Sequence, residues 1–170
     1  GTLLYAVDVP DVGGDTLWVN AYAAYDALSE PMKKFLNGRS ALFPSLDVAA
    51  LDRFVKAGPE GIEAVARFIK VPMEHPLVHT HPETGKKALF IDPLRMWSIT
   101  DLNYDESQSI MDFLNHHISK PELQCRFHWQ PGSLAVWDNR CTLHKRVDDA
   151  VEGRRLMHRV PIEGTERPVM

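Results

Sequence analysis

The sequence predicts a mainly β core carrying helical insertions. Three observations predict it. Short apolar or alternating runs recur along the chain, Gly, Pro, Asn and Asp turn signals separate them, and only one long segment has a clear helical period.

The elements follow in order. Leu3 to Val9 reads as a strand stopped by Pro10, and Val12-Gly13-Gly14-Asp15 reads as a turn. Thr16 to Asn20 (T-L-W-V-N) is β-branched and aromatic and reads as the next strand. Ala21 to Leu28 reads as a helix; Ser29 then caps a second, with Pro31 in its first turn and Gly38 at its end. Asn37 to Pro44 reads as a loop or irregular strand. Within Leu46 to Val71, two helical runs flank Gly58-Pro59. Pro76 to His79 and Lys87 to Ile91 are strands around the turn T-H-P-E-T-G, and Pro93 to Leu102 is a loop rich in large side chains. Asp105 to His117 is the clearest helix, with Ile110, Phe113, Leu114 and His117 on one face and Asn103 or Asp105 as its cap. His116 and His117 are adjacent and face different ways, which argues against paired ligation. Cys125 to Trp129, Leu134 to Trp137 and Arg154 to Ile162 complete the strands.

Composition bounds the function. A chain of 170 residues is long enough for a single domain with its own core. A net charge of −4 gives no electrostatic case for nucleic acid. No run of 18 apolar residues exists, so no membrane span is expected. The start G-T-L-L-Y-A-V-D-V-P has neither a basic n-region nor a long apolar h-region, so no signal peptide is expected. Two cysteines, Cys125 and Cys141, make no disulfide framework, which points to the cytoplasm.

Chemistry concentrates between Trp137 and Arg159. His144 is followed eleven and fifteen residues later by Arg155 and Arg159. A neutral imidazole ligates transition metals, and an arginine fork binds a carboxylate bidentately. Read as a strand, R-R-L-M-H-R-V-P-I puts Arg155, Met157 and Arg159 on one face and His158, read as packing, on the other. The two arginine Cα atoms are then roughly 13 Å apart. His81-Pro82-Glu83 has the spacing of a metal pair, but its surroundings are turn chemistry, so His79 and His81 are read as surface or structural.

These segments together resemble the taurine dioxygenase family of iron(II)/2-oxoglutarate-dependent dioxygenases. V-G-G-D-T-L-W-V-N-A-Y-A-A-Y-D-A-L-S, H-P-L-V-H-T-H-P-E-T-G-K-K-A-L-F-I and W-Q-P-G-S-L-A-V-W-D-N-R carry the resemblance with the His144–Arg159 stretch, in order over nearly the whole chain. The resemblance implies a double-stranded β-helix, or jelly roll, incomplete at the N-terminus, because the family's His-x-Asp pair belongs just before the segment that begins at Gly1. It implies one domain over residues 1–170, with 38–75 as an insert or lid. It implies His144 as an iron ligand, Thr16 and Arg155 on the distal carboxylate of 2-oxoglutarate, and Arg159 and Phe90 on substrate. Asp138-Asn139-Arg140 is then a structural turn. The implied reaction hydroxylates a small anionic substrate of the taurine or alkylsulfonate, alkyl sulfate or aryloxyalkanoate type, using O2 and releasing succinate and CO2. A homo-oligomer is expected. Two alternatives stay open: a non-catalytic jelly-roll binder or pseudoenzyme lacking the metal pair, and a carnitine-biosynthesis-type hydroxylase.

Overall fold

The computed structural model describes residues 1–43, 56, 72–147, 149 and 153–164. In the first sheet β1 (Thr2–Asp8) lies between β9 (Leu134–Trp137) and β11 (Leu156–Pro161), antiparallel to both. In the second, β2 (Thr16–Asn20) lies between β8 (Gln124–Phe127) and β10 (Thr142–Arg146), again antiparallel. A third sheet sets β3 (Ser40–Phe43) between β4 (Met73–Pro76) and β7 (Ser98–Ile99), and β5 (Val78–Thr80) pairs with β6 (Lys87–Leu89).

The first two sheets face each other. Trp18 of β2 meets Trp137 of β9 at a ring separation of 5.4 Å, and Trp137 meets His144 of β10 at 4.8 Å. Consecutive strands cross between the sheets, as from β1 to β2 and from β9 to β10. This is the jelly-roll arrangement.

Local chemistry fixes the connections. Gly13 and Gly14 adopt φ of 84° and 73°, which L side chains avoid, and so turn the chain from β1 into β2. Asn20 ends β2 and caps α1 (Ala21–Asp26) by accepting from the Tyr22 and Ala23 N–H groups. Ser29 caps α2 (Glu30–Leu36), with Pro31 in its first turn. Asn103 and Glu106 form a capping box at the start of α3 (Tyr104–Ile118).

Alternation along β2 divides its faces. Val19 packs into a core with Leu28, Leu36, Leu77, Leu89, Ile99 and Leu114, and Leu143 of β10 leans on that cluster. Each fully buried leucine there contributes about 1.5–3 kcal/mol. Thr16 and Trp18 take the other face, toward the first sheet. On the far side of the first sheet, Leu3 lies between Val136 and Val160, and Tyr5 between Leu134 and His158. That outer face is open: Val136 is 61% exposed and Leu134 55%.

Several expectations are corrected. Of the loop or irregular strand expected at 37–44, the strand is found at 40–43, paired with distant β4 and β7. Phe113 sits on the exposed side of α3, whereas His117 is buried and bonds the Ala24 carbonyl through Nε2. His158 lies on the exposed outer face of the first sheet, not in packing. His79 and His81 are both buried, so of the two readings the structural one holds. Cys125 and Cys141 are unpaired. Of the insert at 38–75, the two ends pair as β3 and β4, while both helical runs lie outside the described residues apart from Lys56.

Candidate active site

β10 and β2 supply the first part of the site. His144 pairs with Trp18 across the strands, on the face turned toward the first sheet. His144 keeps contact with solvent, yet partial burial, followed by the charge of Arg159, pushes its imidazole below its ordinary pKa and so favours the neutral form. Asp92 opposes that shift, and Arg95, paired with Asp92 at 3.6 Å, adds to it. Arg159 sits in register with Leu4, on the same face of the first sheet as the buried Thr2 and Ala6. The inward face of β11 thus holds Arg159 within electrostatic reach of His144, across the gap between the sheets.

Thr16 is 4% exposed. Its Oγ1 accepts the Trp129 indole N–H at 2.9 Å. A hydroxyl has one proton and two lone pairs, so this bond leaves its proton for another acceptor. Arg155 lies just before β11 rather than within it. The register shift between Ala6 and Asp8 leaves Val7 as an extra residue of β1 opposite the start of β11. The Arg155 Nε is buried without a hydrogen-bond partner. Burial, and then the nearby charge of Arg146, lower the pKa of its guanidinium.

Phe90 follows β6 and is half-buried. Its ring contacts His75 and His79, each at 5.3 Å, and Phe43 at 6.1 Å. His79 bonds the Arg140 carbonyl through one nitrogen, while the other is buried and unpartnered.

The turn between β9 and β10 is clasped from several sides. Arg140 grips Asp138 through Nε at 3.0 Å and extends to Glu83 at 2.9 Å. His81 bonds Asp138 through Nε2 at 3.1 Å, and its Nδ1 accepts from the Glu83 and Thr84 N–H groups. Asn139 ties Trp137 to Thr2. The Arg140 bonds hold the Asp138 carboxyl well below the usual carboxylate range, against the opposing effect of burial. His81 and Glu83 thus belong to the clasp that sets where β10 begins, two residues before His144. His81, Asp138 and Cys141 bring donor atoms within 4.8 Å of one another, but Arg140 already occupies the carboxylate.

At the opposite end of β2, Asp15 is buried against Arg126 at 2.6 Å and His128 at 2.8 Å, and Arg126 continues to Asp149 at 3.1 Å. Burial raises the Asp15 pKa, but the bonds from Arg126 and His128 outweigh it and leave the carboxyl below its ordinary value of 3.8. A carboxyl depressed in the fold stabilises the fold above its unfolded pKa and loses that contribution as pH falls through the folded value. Urea midpoints measured from pH 7 to pH 2 should therefore drop below about pH 4. Asp15→Asn should lower the neutral-pH midpoint and flatten the acid limb; an acid limb as steep as the wild type's would place the sensitivity elsewhere.

The structure therefore brings His144, Arg159 and Thr16 to the space between the two sheets, with the buried Arg155 Nε at the start of β11. Sequence reasoning missed Trp129, which fixes the Thr16 hydroxyl, and Trp18 and Trp137, which pack beside His144. The alternation of T-L-W-V-N carried the signal for Trp18. An iron(II) site of two imidazoles and one carboxylate fits these residues only in part. Among the described residues the cluster of three metal-binding donors is His81, Asp138 and Cys141, and His144 is not part of it.

The jelly roll thus turns an imidazole toward the space between its two sheets and buries the Nε of a half-exposed arginine at the start of β11. Residues 1–160 match the model of the taurine catabolism dioxygenase TauD, TfdA family, and the chain belongs to that family. It is 34% identical over 172 residues to the alpha-ketoglutarate-dependent sulfonate dioxygenase of Saccharomyces cerevisiae, covering 99% of this chain and 39% of that protein. It is 32% identical over 182 residues to the alpha-ketoglutarate-dependent sulfate ester dioxygenase of Pseudomonas putida, covering 99% of this chain and 56% of that one. Among solved structures it superposes on AAD-2 in complex with Mn(II) and N-oxalylglycine with a TM-score of 0.84 at 28% identity, covering 99% of this chain and 64% of that chain. The chain spans about half the length of the curated relatives it matches.

Proposed function

We propose that this chain is the 2-oxoglutarate- and substrate-binding part of an iron(II)-dependent dioxygenase that hydroxylates a small anionic substrate. The buried, unpartnered Arg155 Nε is the observation that carries the reading. An unsatisfied buried donor costs roughly 1–3 kcal/mol, more when charged, and a carboxylate arriving there removes that cost. The Thr16 hydroxyl, held by Trp129 with its proton to spare, is a second donor for the same anion. His144 is the side chain offered to iron(II). When bound, the metal would supply oxygen activation and decarboxylation of 2-oxoglutarate to succinate and CO2. The protein's own part is to orient both anions and keep the space between its sheets dry.

Arg159, facing His144 from the other sheet, is the proposed anchor for the substrate's anionic group. Phe90, with Phe43 and His75, would form an aromatic wall for its apolar part. Relatives named for sulfonates and sulfate esters support these classes of substrate. The reading includes a cytoplasmic location, supported by two unpaired cysteines, and a homo-oligomer, supported by the open apolar face of the first sheet. No helix among the described residues is long and apolar enough to cross a membrane.

Succinate release from 2-oxoglutarate, screened over alkylsulfonates, alkyl sulfates and aryloxyalkanoates with iron(II), tests the reaction. Silence across all three classes, with 2-oxoglutarate still bound, would favour a non-catalytic binder. Arg159→Lys should weaken substrate saturation more than 2-oxoglutarate binding, because a point charge does not reproduce a bidentate fork. Equal weakening of both would move Arg159 to the co-substrate.

A further inference from the structure

Three indoles meet beside the space between the sheets, and two of them have their N–H groups committed. Trp129 donates to the Thr16 hydroxyl at 2.9 Å, and Trp137 donates to the Asn139 side-chain oxygen at 2.8 Å. The third, Trp18, has its Nε1 buried with no hydrogen-bond partner. Its ring is surrounded by Trp137, Phe127 and Trp129 at 5.4, 6.0 and 6.2 Å, and aromatic faces are only weak acceptors. An N–H buried without an acceptor is destabilising, and an oxygen arriving beside it relieves the cost.

Register fixes where this indole lies. Trp18 stands directly opposite His144 in the β10–β2 pairing and shares a strand face with Thr16. Trp137 touches both Trp18 and His144 from the other sheet. The Thr16 and Trp18 Cα atoms are about 6.6 Å apart, two strand residues, which is comparable with the length of a five-carbon dicarboxylate. An acid with one carboxylate on the Thr16 hydroxyl and its chain along β2 therefore brings its other end beside Trp18. As a residue Trp18 is only half-buried, so its ring is part of the wall that such a ligand meets.

We propose that the Trp18 indole N–H donates to the second carboxylate of the bound dicarboxylic acid, the one nearer His144, and so orients the head of the co-substrate. The inference rests on the reading that Thr16 and Arg155 hold the distal carboxylate. Thr16 and Arg155 then fix one end of the acid and Trp18 the other, which keeps the chain extended along β2.

The test follows the indole N–H signals of the isotope-labelled full chain by NMR, without added metal, during titration with glutarate and with pentanoate. The two acids share a chain length and one carboxylate; only glutarate carries the second, and neither has a keto group. The signals of the four tryptophans are assigned by substituting each in turn, or by elimination where one variant does not fold. Glutarate should move the Trp18 signal downfield, 2-oxoglutarate should do the same, and pentanoate should leave it in place. The Trp129 signal reports the Thr16 end and should respond to all three. Trp18→Phe keeps a ring and loses the N–H, so it should reduce the preference for glutarate over pentanoate about tenfold, through glutarate alone. If Trp129 responds and Arg155→Ala weakens the acids while the Trp18 signal stays still, the inference fails and the pocket reading stands. If Trp18→Phe weakens both acids equally, the ring is packing and the inference is overturned. If no acid disturbs Trp129, or Arg155→Ala leaves binding unchanged, the pocket reading itself is wrong and the inference falls with it.

Discussion

Arg155→Ala should raise the 2-oxoglutarate concentration needed for half-maximal turnover at least about tenfold, without lowering the melting temperature. The two outcomes have one cause. In the unliganded protein the Arg155 Nε is buried with no partner, so alanine removes an unsatisfied charged donor and spares the fold its cost. In the liganded protein the same alanine leaves a carboxylate facing a pocket that has lost its buried cation. Truncating one member of a desolvated charge pair typically costs about 2–5 kcal/mol, and each 1.4 kcal/mol is a factor of ten. An ordinary structural arginine would do the reverse, lowering stability and binding together. A variant that melts earlier and binds 2-oxoglutarate normally would remove Arg155 from the site.

The second large effect belongs to His144. His144→Ala should abolish metal-dependent succinate release, a loss of at least about a hundredfold, because partners that merely orient a ligand already change metal affinity 10–100-fold. Burial and Arg159 keep the imidazole in the neutral form that ligates a metal. Trp137, packed at 4.8 Å, limits the ring's freedom to turn away. Bound iron, measured after gel filtration of full-length enzyme, should fall in parallel with activity, while the thermal melt stays close to the wild type's. Retention of stoichiometric iron by the variant would show that the ligand lies elsewhere.

Much of this site was legible because strand alternation is a local property. T-L-W-V-N sorts Thr16 from Val19, whereas the strand T-L-H-K-R that carries His144 was not read from the sequence. The turns and helix caps were legible for the same reason: Gly13-Gly14, Asn103 and Ser29 act on neighbours in sequence. What escaped depends on distant pairing. β1 carries Val7 as an extra residue opposite the start of β11, and Arg155 falls just outside the paired strand; no residue in R-R-L-M-H-R announces either. Residues 40–43 read as loop or irregular strand, and the choice between them is made by β4 and β7 lying beside them. The clasp on Asp138 joins His81, Glu83 and Arg140 across more than fifty positions, so its members looked like an isolated turn and a false metal pair.

The outer flank of the first sheet has a practical consequence for work with the chain. Leu3, Tyr5, Leu134, Val136 and Val160 adjoin one another on a surface open to water, and a net charge of −4 gives only weak mutual repulsion between molecules. Hydrophobic dyes should light up on the native protein, so their fluorescence would be a poor gauge of unfolding. Colloidal stability should be poorest near the pI of about 6.1, where that residual repulsion vanishes, and should improve in buffers held well above it.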